Sequence, residues 1–256
     1  MKNSLKHLFE TKKENLLSIY FSAGYPSLNS TTTIINQLGK SGVDFIEVGI
    51  PFSDPLADGP IIQKSGSIAL KNGMNLNLLF EQLESIKDTN TTPLIMMGYW
   101  NSILQYGVRN FLESCQKVGI SGAILPDLPM EIYVKNYKTN FEKHDIPMVF
   151  LITPQTSEER IKQLDNISNS FIYAVSSSST TGKKTGIEDS KEYLERIKNY
   201  QLKSPLITGF NIKNKKDFQF ACKFTQGVVI GSAFIQSIKS ETTLEKNITE
   251  FVSEFN

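Results

Sequence analysis

Two carboxyl groups stand eleven positions apart in the stretch EVGIPFSDPLADGP (47–60), in unlike settings. Glu47 interrupts an apolar run, Phe45 to Ile50, that reads as a buried strand. Asp58 follows in Ala-Asp-Gly-Pro, which is ordinary turn chemistry. A carboxyl group on a buried strand loses hydration, which favours the neutral acid and raises its pKa toward the range useful for proton transfer. Two carboxyls in different solvation at one pocket can divide acid and base duties between them. The other strand-like runs contain no Arg or Lys, so no strand-borne cation stands ready to tie Glu47 into a structural ion pair.

Other chemistries have less to work with. The two histidines, His7 and His144, fall in an N-terminal helical stretch and just before a late strand, which predicts no metal site. Cys115 and Cys222 lie far apart, each in a helical pattern, and are expected to be buried, reduced and inert. With 27 Lys and Arg against 26 Asp and Glu the formal charge is +1, and no basic stripe carries interleaved aromatics, so nucleic acid is not an expected partner. The short Lys-rich pieces, Lys183–Lys184 and Lys213 to Lys216, read as solvated faces. No apolar run approaches the roughly 18 residues of a membrane span. The opening MKNSLKHLFETKKENL reads as an amphipathic helix without a signal-peptide core. The expected location is cytoplasmic, or a plastid stroma if the chain is plastid-encoded, with no membrane association.

The elements that must position the carboxyls recur along the chain. Eight apolar runs do not alternate with polar residues: LLSIYF (16–21), DFIEVGI (44–50), PLIMMGY (93–99), GAILPDL (122–128), PMVFLIT (147–153), FIYAVS (171–176), PLITGF (205–210) and GVVIGSA (227–233). Strands covered on both faces look like this. Helical patterns lie near 30–40, 76–88, 107–118, 130–143, 157–165, 187–199, 214–223 and 241–253, with Ser30 and Ser157 as start signals. Eight strand–helix units in 256 residues predict an α/β fold, a single-domain (β/α)8 TIM barrel over 1–256 with an extra N-terminal helix. A doubly wound open sheet would want a Gly-rich fingerprint after the first strand, where FSAGYPS has one glycine. Enlarged loops follow the second strand (51–75, with room for an extra helix) and the sixth (176–186, SSSSTTGKKTG, which could serve as a lid). Loops after barrel strands face the active-site end, which puts Glu47 and Asp58 there together.

The seventh and eighth units read as an anion site. TGFNIK (208–213) and VVIGSAFIQ (228–236) place Gly209, Gly231 and Ser232 in loops where barrels commonly bind phosphate through backbone N–H groups.

The stretch EVGIPFSDPLADGP, with AGYP near the start, LPDLP, TTG after the sixth strand, TGF after the seventh and VVIGSA at the eighth, closely resembles the tryptophan synthase alpha subunit family. The resemblance covers essentially the whole chain in the right order. It implies a (β/α)8 barrel that cleaves indole-3-glycerol phosphate to indole and glyceraldehyde 3-phosphate. It also implies a beta-subunit partner in an alpha2-beta2 heterotetramer, with pyridoxal phosphate expected in that partner and no cofactor in this chain. By the resemblance Glu47 moves the protons and Asp58 faces the indole N–H. Tyr20, Tyr99, Tyr173, Thr181 and Phe210 fall at substrate-binding positions. Gly182, Asn211, Gly231 and Ser232 fall at phosphate-binding ones, and Asp54 at the partner interface. Tyr20 replaces a more usual Phe, Asn211 stands where the family commonly has Gly, and Ser177 where it commonly has Arg.

The chemistry suits two carboxyls. A Schiff-base aldolase would need a strand Lys, absent from FIYAVS, whereas indole becomes its own electron sink once C3 is protonated. Two other functions remain open at this point: a catalytically weakened subunit that activates the beta partner, and another phosphate-binding barrel enzyme.

Overall fold

The computed structural model describes residues 4–176, 186–209 and 211–255. Eight parallel strands close into one barrel in sequential order, β1 to β8. They are β1 Leu16–Ser22, β2 Phe45–Gly49, β3 Leu94–Met97, β4 Gly122–Ile124, β5 Met148–Ile152, β6 Ile172–Val175, β7 Leu206–Gly209 and β8 Gly227–Ile230. Closure comes from β1 pairing with β8, Ser18 opposite Val229. The (β/α)8 expectation is borne out, and nearly every strand residue is buried, as continuous apolar runs require.

Helices cover the outside. Ser157 caps the helix Glu158–Ile167 by accepting from the Arg160 N–H at 3.2 Å, as its sequence position predicts. Ser30 differs: the helix Ser30–Lys40 starts at it rather than after it, with Asn29 at the cap and the Ser30 hydroxyl accepting from the Ser27 N–H. The extra helix in the second loop is Pro60–Lys71, three turns opened by a proline whose missing N–H costs nothing at that position. Cys115 is fully buried, while Cys222 ends its helix only partly covered, so the expectation of two buried thiols holds for one.

Inside the barrel, side chains of alternate strand residues stack in layers. At the floor, Phe45 of β2 and Phe171, just before β6, meet ring to ring at 5.6 Å. Phe9 of the first helix, Ser4–Thr11, lies 6.2 Å from Phe45 and 5.7 Å from Phe171. This helix therefore stoppers the end of the barrel where the strands begin. Lys12 holds it there through an ion pair to Asp44 at 2.7 Å, and Asp44 also accepts from the Leu17 N–H. Two residues above Phe45 on the same face of β2 stands Glu47. The aromatic floor closes the barrel on that side, and Glu47 itself is fully buried.

Among the described residues no helix is long and apolar enough to cross a membrane, and no group of three or more His, Cys, Asp or Glu could hold a metal ion. His7 lies on the stopper helix and His144 at the end of Lys138–Lys143, both away from the barrel mouth.

Candidate active site

A cavity of about 660 Å³ opens at the carboxyl ends of the strands. Glu47 and Asp58 both line it, as the pattern of the second unit predicts. Glu47 has 0 % of its surface exposed, and neither carboxyl oxygen has a hydrogen-bond partner among the described residues. Burial pushes its pKa from 4.5 up to about 8. Leaving a buried carboxyl unsatisfied costs free energy that an ordinary core position would not retain, so the group is poised for something outside its own scaffold.

Asp58 is 9 % exposed and differently held. The Tyr99 hydroxyl donates to its Oδ2 at 3.1 Å and accepts from the Ala57 N–H at 2.9 Å. Its own carbonyl accepts from Gln63 at 2.9 Å, which ties the loop to the first turn of Pro60–Lys71. Desolvation raises the Asp58 pKa to about 6, and the Tyr99 hydrogen bond pulls the other way by favouring the ionised form. At neutral pH Glu47 is therefore mainly the acid and Asp58 mainly the carboxylate. The two carboxyls take opposite charge states from opposite surroundings.

Tyr20 on β1 and Tyr173 on β6 complete the inner wall, and each owes its position to a glycine on the next strand. A Cβ at Gly49 would come within 2.3 Å of the Tyr20 hydroxyl, and one at Gly209 would fall on the Tyr173 hydroxyl. Parallel register puts Tyr20 beside Glu47. Burial, first of all, drives both phenol pKa values up, so the rings meet a ligand as neutral hydroxyls. The Tyr20 ring also runs toward Gly231, whose added Cβ would sit 3.2 Å from Cδ1. Beyond Tyr20, Ser22 and Ser65 share a hydrogen bond of 2.7 Å, linking the barrel wall to Pro60–Lys71.

The phosphate-end residues Asn211, Gly231 and Ser232 line the same cavity. Gly231 precedes the short helix Ser232–Ser237, and Asn211 sits at φ 60, in the left-handed region that Asn tolerates better than most residues. Tyr99, expected against the substrate, donates its hydroxyl to Asp58, and its ring stacks on Phe52 at 5.1 Å. Asp54 is exposed in the loop after β2, far from the buried carboxyls in solvation. Thr181, Gly182, Phe210 and Ser177 lie outside the described residues.

Several wall residues escaped the sequence, Lys213, Phe251 and Glu254 among them. Lys213 follows β7, and Phe251 and Glu254 come from the last helix, Leu244–Ser253, and the residue that caps it. For the helix pair the one available signal, an amphipathic pattern, says only that a face is covered.

The family model described as tryptophan synthase alpha chain matches residues 6–256. A curated tryptophan synthase alpha chain of Flavobacterium psychrophilum is 56% identical over 248 residues, covering 96% of each chain. One from Flavobacterium johnsoniae is 54% identical, with 99% of each chain covered. Among solved structures, a mutant tryptophan synthase alpha-subunit of Pyrococcus furiosus superposes with a TM-score of 0.86 at 32% identity, covering 96% of this chain and 99% of that one. An aminoacrylate-bound tryptophan synthase of M. tuberculosis gives a TM-score of 0.86 at 26% identity, covering 99% of this chain and 98% of that one.

Proposed function

Because the chain belongs to the tryptophan synthase alpha chain family, a family of lyases that cleave indole-3-glycerol phosphate, we propose that Glu47 and Asp58 carry that cleavage in the cavity at the barrel mouth. The observation that carries this reading is the Glu47 carboxyl group: fully buried, unpartnered among the described residues, and in one cavity with Asp58.

The reaction breaks the bond between indole C3 and the first carbon of the glycerol chain. Glu47, held as the acid by its dry surroundings, gives its proton to C3, and the ring becomes an iminium-like cation. Asp58, held as the carboxylate, faces the ring N–H and stabilises that charge. Glu47, now ionised, removes the proton from the hydroxyl on the adjoining carbon. The carbon–carbon bond breaks, its electron pair returns to the ring, and indole leaves with the aldehyde as the second product. One proton goes out and one comes back, so Glu47 ends as it began. Tyr20 and Tyr173 flank the ring with neutral aromatic surface, while Asn211, Gly231 and Ser232 take the phosphate at the far end of the cavity.

A tryptophan synthase alpha chain implies a beta-subunit partner. In this reading the two assemble as alpha2-beta2, indole passes to the pyridoxal phosphate of the beta subunit, and the pair works in the cytoplasm. The loop after β2 supports a docking role: Asp54 is exposed there, and Leu56 has 89 % of its surface exposed, an unusual state for a large apolar side chain.

Glu47→Gln tests the chemistry. It keeps size and loses the shuttled proton, so indole production falls at least about 100-fold while substrate affinity stays near wild type. Near-normal turnover in that variant would remove Glu47 from the mechanism.

A further inference from the structure

The Lys-rich piece 213–216 reads in the sequence as a solvated face, and the structure divides it. Lys216 pairs outward with Glu188 at 3.3 Å and is 83% exposed. Lys213 instead belongs to the wall of the active-site cavity, next to Asn211 and Ile212.

Its place there is built by several contacts. Asn211 turns the chain at φ 60, and Ile212 anchors the next position at 4% exposure. The Lys213 N–H donates to the Asp217 carboxylate at 2.9 Å, and the Asp217 N–H in turn donates to Asn214 Oδ1 at 3.0 Å. These contacts place the backbone at 213 at the cavity rim. The Lys213 side chain forms no ion pair with any described residue.

The charge balance gives the ammonium a task. Asp58 lies in the cavity as a carboxylate, and Glu254 adds another to the wall. A phosphate monoester brings about two further negative charges at neutral pH. Backbone N–H groups offer partial charges only, and Glu254 opposes the anion. Among the described residues Lys213 is the lysine that lines this cavity, and its long flexible stem lets a point charge follow a phosphate.

We propose that Lys213 is a binding residue for the substrate phosphate, supplying the full positive charge at an anion site otherwise made of backbone N–H groups and Ser232. The proposal rests on the reading that the phosphate lies at the β7–β8 end of the cavity. Lys213 acts on binding rather than on bond cleavage, because the phosphate is remote from the carbon–carbon bond that breaks.

The test titrates the full chain with glycerol 3-phosphate and with glycerol, using wild type, Lys213→Gln, Lys213→Arg and Lys216→Gln, and measures steady-state cleavage in each. Lys213→Gln is expected to weaken glycerol 3-phosphate binding roughly five- to thirtyfold, the range for a hydrogen bond to a charged group discounted for solvent exposure. KM should rise by a similar factor with kcat near wild type. Lys213→Arg should recover most of the affinity, and Lys216→Gln should change none of it. If wild type prefers the phosphate and Lys213→Gln binds it equally well, Lys213 has no part in the site while the phosphate reading stands. Lys213→Arg as weak as Lys213→Gln, or Lys216→Gln as weak as either, would equally overturn the assignment. If wild type binds glycerol as tightly as glycerol 3-phosphate, the phosphate end itself is misplaced.

Discussion

Replacing Glu47 by glutamine should stabilise the protein, by an amount that grows with pH. In the fold the carboxyl group holds its proton up to about pH 8, whereas its ordinary value is 4.5. Across that window the folded chain keeps a proton that the unfolded chain has released, so stability is lost as pH rises through it and levels off above about 8. At about 1.4 kcal/mol per pH unit, the loss integrates to roughly 3 kcal/mol at pH 7 and roughly 5 kcal/mol beyond pH 8. That is a large share of the ~5–15 kcal/mol by which a domain is ordinarily stable. Glu47→Gln carries no titrating group and escapes the loss, while near pH 4 both side chains are neutral amide- or acid-sized groups in the same dry place. Urea unfolding of both proteins at several pH values from about 5 to about 9 measures the difference. The two unfolding midpoints should nearly coincide at the acid end and diverge steadily toward the alkaline end, with the variant above wild type. A midpoint difference that does not change with pH would refute the claim that a dry, unpartnered carboxyl sits at this position.

The same charge states set the pH dependence of kcat/KM. Activity should rise through about 6 as Asp58 ionises and fall through about 8 as Glu47 loses the proton it must deliver. Tyr99→Phe removes the hydroxyl that favours ionised Asp58, so the acid limb should move upward while the alkaline limb stays in place. An acid limb that does not move would show that Tyr99 does not govern Asp58. Asp54→Ala should weaken the acceleration of cleavage by added beta subunit and leave the slow reaction of the isolated chain nearly intact. Loss of that basal reaction would instead put Asp54 in the chemistry.

The barrel and the two carboxyls were legible for the same reason. Doubly buried strands read as unbroken apolar runs, and a Glu inside one is conspicuous against them. Strand ends were not legible. PLIMMGY and GAILPDL read as strands to positions 99 and 128, but β3 stops at Met97 and β4 at Ile124, because the apolar residues that follow pack in loops around the mouth. The helix Trp100–Tyr106 was also invisible in the pattern. Asp127 caps it by accepting from the Trp100 N–H at 2.8 Å, a contact made across 27 positions, and Gly107 at φ 91 separates it from the helix Val108–Val118. The expected single helix over 130–143 breaks at Tyr137 into Met130–Asn136 and Lys138–Lys143. Tyr99 and Lys213 share that limit, since each takes its place from residues distant in sequence or from a turn whose angle no composition reveals.

The aromatic stopper under Glu47 bears on how the chain comes to be active during its synthesis. Phe9 is among the first residues made, yet its ring rests partly on Phe171, which emerges only after five strands have been built. Contacts of such long sequence separation form late, because closing the intervening loop costs entropy before any contact repays it. Until the first helix docks, the end of the barrel beneath Glu47 lacks the Phe9 ring, and with it part of the cover over that end. That part of the cover is thus acquired late, when the oldest and one of the younger parts of the chain meet. A chain whose barrel has not yet closed already carries both carboxyls, and lacks the complete burial that favours the neutral acid at Glu47.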